Sequence, residues 1–365
     1  MKVLYIIDSL TSGGKERQLV ELLKGITKKD DICVRLIILS DIINYNYIND
    51  LNIVIDIIKR KSKKDLSVFN KIYNVCHDFK PDIIHSWELM CSFYTIPIAK
   101  IIGAKFLNGI IRYSPANFNI FKHKKFITTN LSFLFSDIIL SNSNAGLKSY
   151  RAPKHKSHVI HNGFDLNRLF NTDDKTFIKD KYNIKADNIV GMVARFHERK
   201  DYFMFIMSAI NILQNRNNVT FVTVGDGNTL DDCKNLVPSE YKDNILFLGN
   251  LKDVESIINI FDIGVLVSYE EGISNSIMEY MAFEKPVIAT LHGGNDELVL
   301  NNTTGFLVKP NNIRDLSDKI EFLLNNRDIA KAMGKSGKER LMKDFSIEVM
   351  TDEHIKLYNK LLRQL

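Results

Sequence analysis

Cysteine is scarce in this sequence, four in 365 residues, and Cys33, Cys76, Cys91 and Cys233 stand apart, with no CxxC pair or other ligand spacing. That excludes a disulfide-built scaffold and a structural zinc site, and it predicts buried free thiols in a reducing compartment. Long apolar runs are missing as well. Asp137 interrupts Leu131–Leu140 and Asp262 interrupts Ile257–Val267, so no stretch approaches the roughly 20 residues that span a bilayer. Near the start, Val3–Ile7 precede Asp8, a run too short for the core of a secretory signal peptide. The expectation is a cytoplasmic protein. Short repeats, low-complexity tracts, a P-loop and a complete GxGxxG are absent too.

What is present is ordinary for a folded chain, 45% hydrophobic and 25% charged residues. The length suffices for two domains of roughly 150 residues each. The net charge of +6 is unevenly spread. Residues 1–165 carry 24 Lys and Arg against 14 Asp and Glu, and the remainder carries 25 against 29. The first part therefore faces something anionic: a membrane surface, a phosphate-bearing partner or nucleic acid. Its densest run is Lys59-Arg60-Lys61-Ser62-Lys63-Lys64, which a solvated loop explains equally well. The basic residues lack the aromatic interleaving that stacks bases, which argues against nucleic acid.

Short β-branched runs alternate with longer amphipathic stretches, the pattern of a parallel sheet covered on both faces. Val3–Ile7, Ile32–Leu39, Asp82–Ile84, Asp137–Leu140 and His158–Ile160 read as strands of a first series, with Gln18–Leu23 in a helix. A second series follows: Ile189–Val193, Val219–Val224, Ile245–Leu248, Ile263–Val267 and Pro286–Ala289, with Tyr202–Leu213 helical. The polar stretch 167–187 between them reads as a linker. In Ile347–Leu365 the apolar residues keep helical spacing except for a missed step at His354.

Three constellations carry chemistry. Glu271 and Glu279 flank Gly272-Ile273-Ser274-Asn275-Ser276-Ile277-Met278. A buried helix starts near Ser274 or Ser276, so Glu271 stands at its mouth and Glu279 one turn in. Free amides at a helix start suit an anion, and carboxylates suit sugar hydroxyls because each accepts two hydrogen bonds. The same segment also reads locally as a capping box, Ser276 to Glu279. Arg195 and Lys200 follow a strand directly, at the sheet edge where open α/β sheets bind ligands. Two cations there can clamp a diphosphate, although Glu198 and Asp201 could pair with them instead. Gly13 and Gly14, after the first strand, allow backbone to approach a phosphate closely.

Together with Lys285–Thr290, His292–Val299, Gly305–Val308, Val224–Gly227, Phe247–Gly249 and His161–Asp165, these residues resemble the retaining GT-B glycosyltransferases, the group 1 glycosyl transferases (family 4) of the bacterial surface-polysaccharide type. The resemblance covers the whole chain and is strongest over 188–310. It implies an α/β protein of two Rossmann-like parallel-sheet domains facing across a cleft: 1–166 on the acceptor side, a linker at 167–187, a donor domain at 188–345, and a helix at 346–365 crossing back to the first domain.

It also implies roles. Arg195 and Lys200 would hold the diphosphate of a UDP- or GDP-linked sugar. Glu279 would take the ribose hydroxyls and Glu271 the transferred sugar. Amides at Ser274, Asn275, Ser276 and Ile277, with Gly13 and Gly14, would cradle phosphate, and Gly249 would border the base. The donor is a substrate, and no other cofactor is implied. No Asp-x-Asp occurs, so Arg195, Lys200 and the helix start would replace a metal in a transfer with retention. The implied acceptor is a glycan or a polyprenyl-diphosphate-linked sugar, met on the inner face of the cell membrane. Relatives carry a His after the strand near Phe106-Leu107, where this chain has Asn108–Pro115. Arg112, Tyr113 or His85 are the candidates to act on the acceptor side. Two alternatives stand beside this reading. One is a nucleotide-sugar epimerase, a dehydrogenase being disfavoured by the glycine pattern despite Asp41 near the end of strand two. The other is a degenerate, binding-only subunit.

Overall fold

A computed structural model describes residues 1–11, 13–62, 65–115, 124–170 and 172–363. The chain forms two compact units, residues 1–163 with 347–365, and residues 164–346.

The first unit is built on seven strands: β1 (Lys2–Ile7), β2 (Cys33–Ile38), β3 (Val54–Ile57), β4 (Ile83–Ser86), β5 (Lys105–Ile111), β6 (Ile138–Ser141) and β7 (Ser157–Val159). They pair in the order β3-β2-β1-β4-β5-β6-β7, every pair parallel. Side chains alternate along a strand, so β1 feeds two cores. Val3, Tyr5 and Ile7 join one with Leu19, Leu22 and Leu23 of helix Gly14–Ile26. Leu4 and Ile6 join the other with Val68, Ile72, Ile98 and Ala99 of helices Ser67–Phe79 and Leu89–Ile102. Burial on both faces is why β1 reads as an unbroken apolar run. Strand β3 lies at the edge, with Val54 and Ile57 exposed, and its short mixed pattern gave no periodic signal.

Helix Ile347–Leu362 packs in the first unit, its Met350, Leu357, Tyr358 and Leu361 entering the core with Leu19 and Leu23. The apparent gap in its stripe is not one. His354 is buried on the same face, its Nδ1 donating to the Met350 carbonyl at 2.8 Å. Burial pushes its pKa down to about 3, so it packs as a neutral ring.

The second unit has six strands: β8 (Asn188–Val193), β9 (Val219–Val224), β10 (Ile245–Phe247), β11 (Ile263–Leu266), β12 (Val287–Thr290) and β13 (Gly305–Val308). Their order is β10-β9-β8-β11-β12-β13, again all parallel. Both sheets are thus Rossmann-like, with the strand order reversing beside β1 and beside β8. Residues 167–187 are not a free linker. Asp174 caps helix Lys175–Lys181, and Ile178 and Ile184 lie in the core of the second unit. One cysteine departs from expectation: Cys33 is exposed, while Cys76, Cys91 and Cys233 are buried. Among the described residues no helix is long and apolar enough to cross a membrane.

Candidate active site

Strand β8 is the first strand of its unit in sequence, yet it lies inside the sheet, so the segment after it emerges at the carboxyl edge beside β9 and β11. Ala194 N donates to Val224 O at 3.0 Å and Phe196 N to Asp226 O at 3.0 Å. These bonds clamp the backbone of Arg195 from both sides. Gly225 closes the clamp: its φ is +141°, and a Cβ there would run into the Ala194 carbonyl, so only glycine fits. The Arg195 side chain is exposed. Gly249, at φ +70°, accepts from Gly225 N at 2.8 Å through its carbonyl and borders open space.

Lys200 is held by a second set of bonds. Tyr269 N donates to Arg199 O at 2.8 Å and Asp201 N to Val267 O at 3.0 Å, which zips 199–201 to the segment after β11. Asp201 then caps helix Tyr202–Leu213 by accepting from Met204 N at 3.0 Å. Lys200 Nζ meets Glu271 Oε1 in an ion pair with side chains 20% and 11% exposed. Burial first, then the charge of Arg199, push the Lys200 ammonium down to about 7. The Glu271 carboxylate opposes that fall. Glu198 and Asp201, the expected competitors, do not take these cations among the described residues; Arg199 instead pairs with Glu270 at 3.0 Å. Gly293, at φ +65°, lets the segment after β12 lie against Glu271, where a Cβ would strike the Glu271 carbonyl.

Helix Asn275–Ala282 begins at Ser274, whose Oγ accepts from Ile277 N at 3.4 Å. Ser276 is not the cap. It lies inside the first turn and donates to Val193 O at 2.7 Å, which sets the helix start against the end of β8. One turn on, Tyr280 OH accepts from Val193 N at 2.7 Å and donates to Val265 O at 3.2 Å. The capping-box reading therefore fails, and Glu279, 3% exposed, is held by another group. Arg168 Nη2 donates to Glu279 Oε1 at 2.7 Å and to Glu255 Oε1 at 2.5 Å, and its Nε donates to the same Glu255 oxygen at 2.9 Å. Burial alone would lower the Arg168 pKa, but Glu279 and Glu255 outweigh it and raise it. Arg168 was missed in the sequence because its partners lie 87 and 111 positions away.

The remaining candidates lie in the first unit. Gly13 precedes helix Gly14–Ile26 without a side-chain cap, and the Glu16 carboxylate sits against it. Lys15 pairs with both Glu16 and Glu88. His85 is fully buried, its Nδ1 2.8 Å from Tyr358 OH, which is itself 2.8 Å from Tyr5 OH. Burial and the neighbouring His354 and Arg112 push its pKa far down. It is a neutral core histidine and does not reach a ligand surface. Arg112 stacks 3.6 Å over the Trp87 ring and donates from Nε to Gly109 O at 2.8 Å. Tyr113 stands edge-on to Tyr150. In the basic run, Lys59 pairs with Asp41 at 2.5 Å and Arg60 pairs with Asp8, while Lys63 and Lys64 lie outside the described residues.

Two parallel Rossmann-like sheets, with charged side chains gathered at the carboxyl edge of the second, define the GT-B class of fold. The structure of Anabaena Alr3699/HepE in complex with UDP is similar at a TM-score of 0.85 and 18% identity, over 99% of this chain and 100% of that one. More narrowly, residues 174–340 match the family model of the glycosyl transferases group 1. Among curated relatives, the capsular polysaccharide biosynthesis glycosyltransferase CapM of Staphylococcus aureus is 28% identical over 196 residues, 52% of this chain and 51% of CapM. The GalNAc-alpha-(1->4)-GalNAc-alpha-(1->3)-diNAcBac-PP-undecaprenol alpha-1,4-N-acetyl-D-galactosaminyltransferase of Campylobacter jejuni is 25% identical over 369 residues, 98% of each chain. The chain spans 51%, 41% and 55% of the length of three curated relatives that it matches.

Proposed function

We propose that this protein is a retaining, metal-independent glycosyltransferase of bacterial surface-polysaccharide synthesis. It moves a hexosyl or N-acetylhexosaminyl residue from a UDP- or GDP-linked sugar to a glycan or polyprenyl-diphosphate-linked acceptor. The observation that carries the reading is the bond from Ser276 Oγ to Val193 O at 2.7 Å. It seats a helix start beside the strand end that bears Arg195, while Lys200 reaches Glu271 in the same segment pair.

Glycosyl transfer passes through an oxocarbenium-like state as the diphosphate leaves, and the charge that develops on the leaving group needs fixed cations or amides. Arg195 and Lys200 supply the cations, and the amides of Ser274 to Ile277 supply a positive helix end. Glu279 accepts the ribose hydroxyls, Glu271 orients the transferred sugar, and the Gly249 turn borders the base. Gly13 and Gly14 present amides at a helix start of the first unit. With cations already placed, the leaving group needs no divalent ion. The names of similar transferases carry alpha linkages, and an alpha product from an alpha-linked donor is retention.

A thermal-shift titration with UDP and GDP, with and without EDTA, tests this. Ligand that binds the folded state raises Tm by mass action. One nucleotide is expected to raise Tm equally with EDTA, and Arg195→Ala to lose the rise. Loss of the rise in EDTA would remove the metal-free reading, and an inverted anomeric signal in the product would remove retention.

The same reading places the protein in the cytoplasm, peripherally on the inner membrane face. Support comes from helix Lys124–Leu134, where Ile127, Leu131 and Leu134, with Phe135 beyond it, are exposed at helical spacing. Lys156 bonds the Leu134 carbonyl at 3.2 Å, which puts a cation at the end of that stripe. Anionic vesicles should sediment the protein at low salt, less so at high salt or in Leu131→Ser/Phe135→Ser. Equal binding to neutral vesicles would sink this part.

A further inference from the structure

Arg168 joins three elements of the second unit: the 3-10 turn Leu166–Phe170, helix Val254–Asn259 and helix Asn275–Ala282. Its own turn is stiff. Asp165 Oδ1 accepts from Asn167 N at 3.0 Å and Asn167 Nδ2 at 2.8 Å, and Arg168 N donates to Asp165 O at 3.2 Å. The guanidinium lies 4.7 Å over the Phe164 ring. The side chains of Arg168, Glu255 and Glu279 are 17%, 18% and 4% exposed.

The division of bonds is unequal. Glu255 takes two donors of the guanidinium on one oxygen, which fixes the plane of the fork, and Glu279 takes one N–H on Oε1. Burying a charged group is costly unless it is paired and hydrogen-bonded. The guanidinium thus ties Glu279 to Glu255 through one planar fork, and charge-assisted bonds of this kind fix geometry as well as add energy.

We propose that Arg168 is a positioning residue for donor recognition. It holds the Glu279 carboxylate in one orientation, so that Glu279 reads the ribose hydroxyls and selects ribonucleoside over 2′-deoxyribonucleoside diphosphates. This rests on the reading of Glu279 as the ribose ligand.

Calorimetric titration with UDP, dUDP, GDP and dGDP tests it on the wild type, Arg168→Gln, Arg168→Lys and Glu255→Gln. The wild type should bind the ribo form of its nucleotide about tenfold more tightly than the deoxy form, the scale of a hydrogen bond to a charged group. Arg168→Gln should lose that preference, weakening the ribo form more than the deoxy form, which keeps only its 3′-hydroxyl for Glu279. Arg168→Lys, which restores the charge without the fork, should recover part of it. Glu255→Gln, which keeps the Arg168 contact to Glu279, should lose less than Arg168→Gln. In turnover, Arg168→Gln should raise the donor KM and leave kcat nearly unchanged. If Arg168→Gln has a lower Tm but an intact ribo preference, the residue is merely structural and the proposal fails. If Arg168→Gln does not fold, Arg168→Lys and Glu255→Gln decide: a full preference in both overturns the proposal. A wild type that binds nucleotide without ribo preference removes the role of Glu279, and one that binds no nucleotide removes the donor reading itself.

Discussion

If Lys200 holds the donor as proposed, one enclosed residue couples binding to pH. Burial moves its pKa from 10.5 in the unfolded chain to about 7 in the folded one. Between those values the unfolded chain holds more proton, so this residue makes stability rise with pH across that window. A diphosphate beside Lys200 favours the charged form and draws a proton in. Affinity for the nucleoside diphosphate should therefore fall as pH rises from about 7 to about 9, each binding event taking up a fraction of a proton. Calorimetry in two buffers of different ionisation enthalpy measures that uptake. Lys200→Arg should abolish it, because a guanidinium does not titrate there. An unchanged uptake would assign it to another group. At this scale the positions of Lys200 and Glu271 beside helix starts, and of Glu279 one turn into a helix, were legible, because the apolar pattern locates those helices. Arg168 was not, and His85 looked available only because a sequence does not show that Tyr358, 273 positions away, encloses it.

Helix Asn275–Ala282 is short, and its placement comes from neighbours: Ser276 and Tyr280 both bond Val193, which seats the helix against the end of β8. The same holds for the backbone of Arg195, set by the turn after β9. Gly225→Ala should cost roughly 1–3 kcal/mol, through a forbidden φ and a collision with Ala194 O. It should also weaken nucleotide binding beyond the loss of stability, because the clamp on Arg195 opens. Gly249→Ala is the control. Its φ of +70° is likewise left-handed but nothing lies near a Cβ, so the loss of Tm should be smaller. Equal losses in denaturation scans of the two variants would show that strain alone matters and that the collision relaxes without cost.

Over the whole molecule, each unit carries its own core, and the last helix contributes to the first. Ending the chain after Ser346 would strip Met350, Leu357, Tyr358 and Leu361 from that core and leave Tyr5 and His85 without Tyr358. Amide hydrogen exchange should then accelerate through residues 1–163, while β8, β9, β11 and β12 of the second unit keep their protection. Equal loosening of both units would contradict the division of the chain between Gly163 and Phe164.

Local rules were enough to derive the two parallel sheets and most of their strands. β-Branched runs, turn glycines and helix starts are short-range signals, carried by a few neighbouring residues. The edge strand β3 escaped because half of it faces water, and the residues at 167–187 looked like a linker because polar surface hides a short capped helix. The tertiary structure alone decided that Ser274 rather than Ser276 starts the helix, that His354 completes a buried face, and that a distant arginine holds Glu279. In each case the deciding partner is a group brought close by packing, and packing joins residues whose separation along the chain carries no signal.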